Sequence, residues 1–203
     1  MKWGIIIQAR LTSTRFPEKV NKEIDDEPIW KICHYAANAT GIEVVLALPV
    51  GHDDGLSYLE DELVYCGSEH DVGSRFYHCA KQHGFSHIIR LTADCPLVDP
   101  QTIIAVRDEC LRTGHYAGRC NAPDGDDAEA FTFAELEETF MAGPSEHVTT
   151  LMRAKHPPSV PEMPGIKYSV DTPEDLERVR RLVAKCGLNA GRDAYITACR
   201  EGI

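Results

Sequence analysis

The 203-residue chain lacks the apolar run of about 20 residues that a membrane-spanning helix needs. Its first apolar stretch, residues 3–7, is also shorter than the hydrophobic centre of a secretory signal peptide. We therefore predict a cytoplasmic protein with no membrane partner. An excess of positive charge is missing too, since 21 Lys and Arg against 32 Asp and Glu give a net charge of −11. This acidic balance argues against a nucleic-acid partner.

Metal and redox motifs of the familiar spacings are also missing. None of the eight cysteines forms a Cys-x-x-Cys pair, and none of the nine histidines belongs to a His-Glu-x-x-His motif. We expect reduced, mostly buried cysteines, and a redox role is a weak alternative. Hydrophobic residues at 43% and charged residues at 26% are typical of a packed globular domain, which excludes collagen-like, low-complexity and disordered classes.

The order of sequence patterns indicates an α/β fold. Short apolar runs predict strands at residues 3–7, 43–49, 63–66 and 86–91, and helical patterns follow each of them at 29–40, 53–63, 71–83 and 100–113. This alternation is typical of a mainly parallel, Rossmann-like sheet wrapped by helices. A further strand is predicted at 166–170, with helical sequence after it. The acidic and proline-rich stretch at about 115–165 breaks the alternation, so we expect a small arm or lid inserted into one domain spanning 1–203.

Ligands of open parallel sheets bind beyond the carboxyl ends of the strands. The segment after the first strand, residues 8–19, contains Arg10, Arg15 and Lys19 among hydroxyl side chains. Guanidinium and ammonium groups with backbone N–H donors suit a polyphosphate, although the composition equally allows a solvated basic loop. The spacing is not that of a P-loop.

Two carboxylates follow buried strands elsewhere in the chain. Asp94 stands just after the strand at 86–91, and Asp171 follows the strand predicted at 166–170. Asp94 taken alone either binds Mg²⁺ or caps the turn before Pro96. Because both carboxylates should reach the same edge of the sheet as the basic loop, together they favour a metal–nucleotide site.

Taken together, these segments resemble the cytidylyltransferases of the spore-coat polysaccharide biosynthesis type. That family is related to the synthetases that activate sialic acid and 3-deoxy-manno-octulosonate as CMP-sugars. The resemblance extends from Ile5 to about Leu182. Its most specific parts are residues 7–19, 67–77, 90–100, 123–131, 146–149 and 170–176.

The resemblance implies a nucleotide-diphospho-sugar-transferase-like fold and transfer of CMP from CTP to a small sugar or sugar-acid-like acceptor, with release of pyrophosphate. It also implies Mg²⁺, with Mn²⁺ as a substitute, a homodimer, and a place in surface polysaccharide or glycan biosynthesis. The implied catalytic residues are Arg10, Arg15, Lys19 and Asp94, and the implied metal ligands are Asp94 and Asp171. The implied nucleotide contacts are Gln8, Ala9, Arg10, Ser13, Arg15, Lys19, Ser68, Arg75 and Thr92. The implied acceptor contacts are Asp124, Asp127, Glu129 and His147.

The chain departs from the family pattern at five positions. Thr12, Glu18 and Ala93 stand where glycine is common, Asp126 replaces an apolar residue, and Ser145 stands where arginine often precedes the Glu-His pair. Glu18 places a negative charge and a Cβ beside the expected phosphates. Asp126 and Ser145 fall in the expected acceptor region, which indicates a non-standard acceptor.

Two alternatives therefore stay open. One is a nucleotidyltransferase or glycosyltransferase of the same fold that uses another nucleotide. The other is a non-catalytic nucleotide-binding module in which Glu18 disables the phosphate loop.

Overall fold

The central feature of the computed structural model, which describes residues 1–59, 62–126, 128–162 and 165–202, is a twisted sheet. The strands found in these ranges are β1 (Trp3–Gln8), β2 (Glu23–Ile24), β3 (Glu27–Pro28), β4 (Glu43–Pro49), β5 (Val64–Gly67), β6 (His87–Thr92), β7 (Ala117–Gly118) and β8 (Glu129–Thr132). The sheet order is β5-β4-β1-β6-β8-β7, with β5, β4, β1 and β6 parallel, and β2 with β3 forms a separate hairpin.

Helices cover both faces of this sheet. Those described are α1 (Ile29–Asn38), α2 (Val72–His83), α3 (Pro100–Thr113), α4 (Phe133–Met141), α5 (Thr150–Lys155), α6 (Pro173–Cys186) and α7 (Arg192–Arg200). Side-chain caps from Asp71, Asp99 and Thr172 begin α2, α3 and α6. The α/β fold with a mainly parallel sheet is confirmed. Among the described residues, no helix combines the length and the apolar composition needed to cross a bilayer.

The core forms on both sides of β1, because its apolar residues alternate between the two faces. Ile5 and Ile7 pack in a cluster with Trp30 of α1, whereas Ile6 packs in a cluster with Phe76 of α2. Gln8, the last residue of β1, pairs with positions 47 of β4 and 92 of β6. The carboxyl ends of these three strands therefore meet at one edge, as the sequence predicts.

The helix predicted at 53–63 is wrong for the residues that the structure describes there, which form turns. Tertiary hydrogen bonds hold this segment in another shape: the indole of Trp30 donates to the carbonyl of Ser57, whose N–H donates to Asn21. Tyr58 adopts a positive φ of 60°. Helix-forming periodicity does not reveal such long-range bonds.

The strand predicted at 166–170 is also wrong, because this extended segment does not join the sheet. The N–H groups of Tyr168 and Ser169 donate to the carbonyl of Asp124, and that of Val170 donates to the carbonyl of Asp94. The backbone approaches closely here, since a Cβ on Gly125, which has a φ of +96°, would lie 2.2 Å from the nitrogen of Ser169. Asp171 is thereby fixed next to the turn that contains Asp94.

The 115–165 segment, expected to form an arm, contributes in part to the main sheet. Strand β8 pairs antiparallel with β6, and β7 pairs with β8 at the edge. The rest of the segment includes α4, which packs on α2, and α5. All eight cysteines are free thiols, and four of them are buried: Cys33, Cys79, Cys95 and Cys110.

Candidate functional site

A cleft of about 250 Å³ opens at the carboxyl edge of β1 and β6. Ten of the residues that line it were singled out from the sequence as nucleotide or metal contacts: Gln8, Ala9, Arg10, Ser13, Arg15, Lys19, Arg75, Thr92, Asp94 and Asp171. His147 lines it as well. Sequence reasoning missed Thr14, Val20, Glu69, Val72, Arg90 and Glu146.

Lys19 lies between the two carboxylates of the cleft. Its Nζ is 2.6 Å from Oδ2 of Asp94 and 3.0 Å from Oδ1 of Asp171, and Arg15 reaches the same Asp171 oxygen at 3.1 Å. Burial opposes the charged ammonium, yet the two aspartates raise the pKa of Lys19. Burial likewise disfavours the ionised Asp171, yet Lys19 and Arg15 lower the pKa of this carboxyl. Lys19 and Asp171 are therefore both charged at neutral pH.

This arrangement fits a divalent cation. One oxygen of Asp94 and one of Asp171 already share a single positive centre, the ammonium of Lys19. Carboxylate oxygens are hard ligands of the kind that Mg²⁺ and Mn²⁺ prefer, and Mg²⁺ is commonly bound by one or two carboxylates together with phosphate oxygens. The donor set thus suits a cation whose remaining ligands come from a triphosphate and water.

The loop that presents Lys19 depends on an unusual backbone conformation at Glu18. Glu18 has φ 52° and ψ 28°, in the left-handed region, directly before the 3₁₀ turn Lys19–Asn21. Its N–H donates to the carbonyl of Leu11, whose own N–H donates to His52, so the loop folds back on itself. A left-handed residue other than glycine costs about 1–2 kcal/mol, so the backbone at this position favours the glycine that the resemblance leads us to expect there.

We expect Glu18→Gly to tighten binding of a nucleoside triphosphate by roughly threefold to tenfold. The substitution removes one exposed negative charge beside the cationic loop, a change worth about 1 kcal/mol, and it relieves the left-handed strain. Calorimetric titration measures the affinity. Glu18→Ala is the matched control, because it removes the charge but keeps the Cβ. Unchanged affinity in both variants would show that the Glu18 carboxylate does not act on the phosphates.

A second cationic group lies deeper in the cleft. Arg75 is 3% exposed, and its guanidinium donates to the carbonyl of Ser68 at 2.9 Å. Burial and the neighbouring charge of Arg10 lower the pKa of Arg75 to about 10, so it stays charged at neutral pH. Within the described residues its buried Nε has no hydrogen-bond partner. Two adjacent guanidinium groups favour an anion between them.

Ser68 holds Arg75 and does not itself line the cleft. Its hydroxyl accepts the N–H of Asp71 at the start of α2, and its carbonyl accepts Arg75. Ser68 therefore lies behind Arg75 and does not reach the cleft, where the resemblance implies that it contacts the nucleotide.

Arg90 is the most informative residue that sequence reasoning missed. It projects from β6 into the cleft, where its Nε donates to Gln8 at 3.2 Å and its Nη1 to Glu129 at 2.6 Å. Glu129 is 1% exposed and also accepts from Tyr116, Thr149 and Arg153. A charged residue inside the apolar run of β6 is the signal that could have revealed Arg90.

The expected acceptor residues occupy different places. His147 lines the cleft, whereas Asp124 and Glu129 border an adjacent cavity of about 230 Å³ together with Arg153. Asp127 lies outside the described residues. Glu129 reaches the cleft indirectly, through its ion pair with Arg90.

The two departures expected to touch the acceptor have other roles. Asp126 is fully buried and pairs with Arg119 and Arg192, away from the cleft. Ser145 shapes the turn before the Glu-His pair, since its hydroxyl donates to the carbonyl of His147 and accepts the His147 N–H. The hypothesis of a non-standard acceptor therefore loses the support of both residues.

Comparison with known proteins finds relatives in both sequence and structure. A family model described as cytidylyltransferase matches residues 4–144. The spore coat polysaccharide biosynthesis protein SpsF of Bacillus subtilis is 28% identical over 212 residues, covering 90% of this chain and 86% of that protein.

Two solved structures share the fold. A cytidylyltransferase from Leptospira borgpetersenii superposes with a TM-score of 0.86 at 24% identity, covering 99% of this chain and 94% of that one. A CMP:2-keto-3-deoxy-manno-octonic acid synthetase complexed with CTP gives 0.73 at 17% identity, covering 91% and 99%.

Proposed function

Because this chain belongs to the cytidylyltransferase family and is thus a nucleotidyltransferase, we propose that it transfers CMP from CTP to a hydroxyl group of a small sugar or sugar-acid-like acceptor. The observation that supports this most strongly is the convergence of cationic residues on a carboxylate pair. Lys19 sits between Asp94 and Asp171, with Arg10, Arg15 and Arg75 in the same cleft. Such a cleft combines cationic groups that bind a triphosphate with carboxylates that bind the metal ion of that triphosphate.

In the proposed reaction the oxygen of the acceptor hydroxyl attacks the α-phosphorus of CTP in line, and the hydroxyl proton passes to solvent. The bond between the α-phosphorus and its bridging oxygen breaks, and pyrophosphate leaves with that oxygen and its electron pair. The protein contributes positioning and neutralisation of the charge that builds up on the departing pyrophosphate. Arg10, Arg15 and Lys19 are placed for this, because a local cationic cluster must offset the net charge of −11.

Asp94 and Asp171 would hold Mg²⁺ or Mn²⁺ in this reaction. The metal ion, when bound, neutralises charge on the phosphate oxygens. The same two carboxylates orient Lys19, whose ammonium is largely buried and therefore fixed in direction. The cleft thus keeps its cationic groups aligned before any nucleotide arrives.

The acceptor is proposed to enter on the side of Glu146 and His147. These residues line the cleft together with Arg90, whose partner Glu129 borders the adjacent polar cavity. Polar and charged linings suit a hydroxylated molecule. The name of the Bacillus subtilis relative, a spore coat polysaccharide biosynthesis protein, supports a role in polysaccharide biosynthesis. The homodimer and the cytoplasmic location stay predictions.

Calorimetric titration with CTP, UTP, ATP and GTP, each with and without Mg²⁺, tests the proposal without a known acceptor. We expect CTP to bind at least tenfold more tightly than the others when Mg²⁺ is present, a difference of about 1.4 kcal/mol, and to bind more weakly without Mg²⁺. Hydroxylated sugars and sugar acids can then be screened by pyrophosphate release. Preference for another nucleotide would contradict the cytidylyl reaction, and binding of none would favour the non-catalytic module.

A further inference from the structure

Three side chains from separate elements converge outside the cleft. His115 lies in the turn after α3, Glu135 in the first turn of α4, and His156 at the residue that ends α5. One nitrogen or oxygen atom of each lies within 4.8 Å of the other two. Glu135 and His156 are partly buried and His115 is exposed, so the cluster is open to solvent on one side.

The carboxylate of Glu135 is held in a fixed orientation. Its Oε1 accepts the N–H of Tyr116 at 2.8 Å, and its Oε2 accepts both the N–H and the hydroxyl of Thr132 at 2.9 Å. A carboxylate oxygen can accept two bonds, so Oε1 retains the capacity to bind a cation. Hydrogen bonds that orient a carboxylate in this way are the usual surroundings of a metal ligand.

The two imidazole rings lie face to face. Their centroids are 4.1 Å apart and their planes differ by 6°. A neutral imidazole nitrogen is the commonest metal ligand in proteins.

From this geometry we propose that His115, Glu135 and His156 form a binding site for a late first-row divalent ion such as Zn²⁺, Ni²⁺ or Co²⁺. Two imidazoles and one carboxylate, with positions left for water, suit these ions better than Mg²⁺. The site is chemically distinct from the oxygen-only pair Asp94 and Asp171. It does not depend on the proposed transfer reaction.

The ion would join the turn after α3 to helices α4 and α5. Helix α5 also contains Arg153, which pairs with Glu129, and Glu129 holds Arg90 in the cleft. A metal ion bound at the end of α5 would therefore stabilise the ion pairs of Arg153 and Arg90 with Glu129, which position Arg90. Occupancy should raise the melting temperature of the whole chain, because binding to the folded state alone stabilises it.

Metal titration of the chelator-treated full-length protein tests the site, with excess Mg²⁺ present throughout. We expect each chain to bind one Co²⁺, with the visible absorption typical of nitrogen and oxygen ligands. Calorimetry should likewise show one Zn²⁺ bound per chain. His115→Asn and His156→Asn should each weaken Zn²⁺ binding by more than about 100-fold, since removal of even an outer-shell partner costs 10-fold to 100-fold. The rise in melting temperature with Zn²⁺ should vanish in both variants.

Two controls separate this site from other metal-binding groups. His78→Asn removes an exposed histidine elsewhere on the surface and should leave Zn²⁺ binding unchanged. Asp94→Asn should also leave it unchanged, because the proposed magnesium ligands are not involved. Lack of Zn²⁺ and Co²⁺ binding by the wild-type protein would overturn the proposal whatever the variants do. Equal Zn²⁺ affinity in wild type and in either folded His variant would overturn it as well.

Discussion

Replacing Asp94 or Asp171 with asparagine should lower turnover by roughly 10³-fold or more while the protein stays folded. Each change keeps the side-chain volume but removes one of the two charged oxygens that face Lys19. If these oxygens hold the metal ion, its charge stabilisation of several kcal/mol is lost, and each 1.36 kcal/mol is a factor of ten in rate. The rate is measured as pyrophosphate release with the acceptor found by screening.

Nucleotide binding gives a second readout that needs no acceptor. In wild type, CTP affinity should increase when Mg²⁺ is added, whereas in either variant it should no longer respond to Mg²⁺. Asp108→Asn is the matched control, because Asp108 is an exposed aspartate on α3 paired only with its neighbour Arg107 among the described residues. Normal rates and a normal Mg²⁺ response in both site variants would disprove the two-aspartate metal site.

The position of this site could be predicted because parallel-strand geometry is general. Any residue directly after β1 or β6 reaches the same edge, so Arg10 and Asp94 had to be neighbours once the strands were identified. Asp171 was correctly expected at this edge, although its segment is not a strand. A few hydrogen bonds to the Asp94 and Asp124 carbonyls replace the predicted sheet pairing.

Other features depend on long-range partners that sequence patterns do not encode. Arg90 and Glu129 are 39 residues apart, and only the antiparallel register of β6 and β8 sets them opposite each other. The turn at 53–59 is held by Trp30 and Asn21, so its helical pattern is overridden. At position 18 the family glycine fits the left-handed backbone that the structure shows, although only the charge and the Cβ of Glu18 were considered from the sequence.

The buried residue Asp126 also depends on long-range partners, and in this case the contacts determine the stability of the fold. Position 126 is usually apolar in the family, and here its aspartate is completely buried. It accepts the hydroxyl of Thr102 at 2.9 Å and pairs with Arg119 and with Arg192, whose Nε is 3.2 Å from Oδ2. These contacts join α3 and the 119–126 turn to α7. At this departure from the family pattern the carboxylate therefore pairs with two buried guanidinium groups, of which that of Arg192 also pairs with Asp99.

Asp126→Ala should accordingly destabilise the protein by about 3–5 kcal/mol, because removing one partner of a buried ion pair leaves uncompensated charge. For a domain of this size the melting temperature should fall by roughly 6–20 °C. Urea unfolding measures the change in free energy of unfolding.

Asp124→Ala, an exposed aspartate of the same turn, should cost less than about 1 kcal/mol. Combining Asp126→Leu with Arg119→Met and Arg192→Met should recover much of the loss, since apolar residues of similar volume can replace a buried ionic cluster. Comparison with Asp126→Leu alone distinguishes unpaired charge from a simple cavity, because the leucine fills the cavity in both variants and only the methionines remove the unpaired charges. A loss below 1 kcal/mol for Asp126→Ala would mean that water reaches the two arginines and that the network does not fasten α7 to the core.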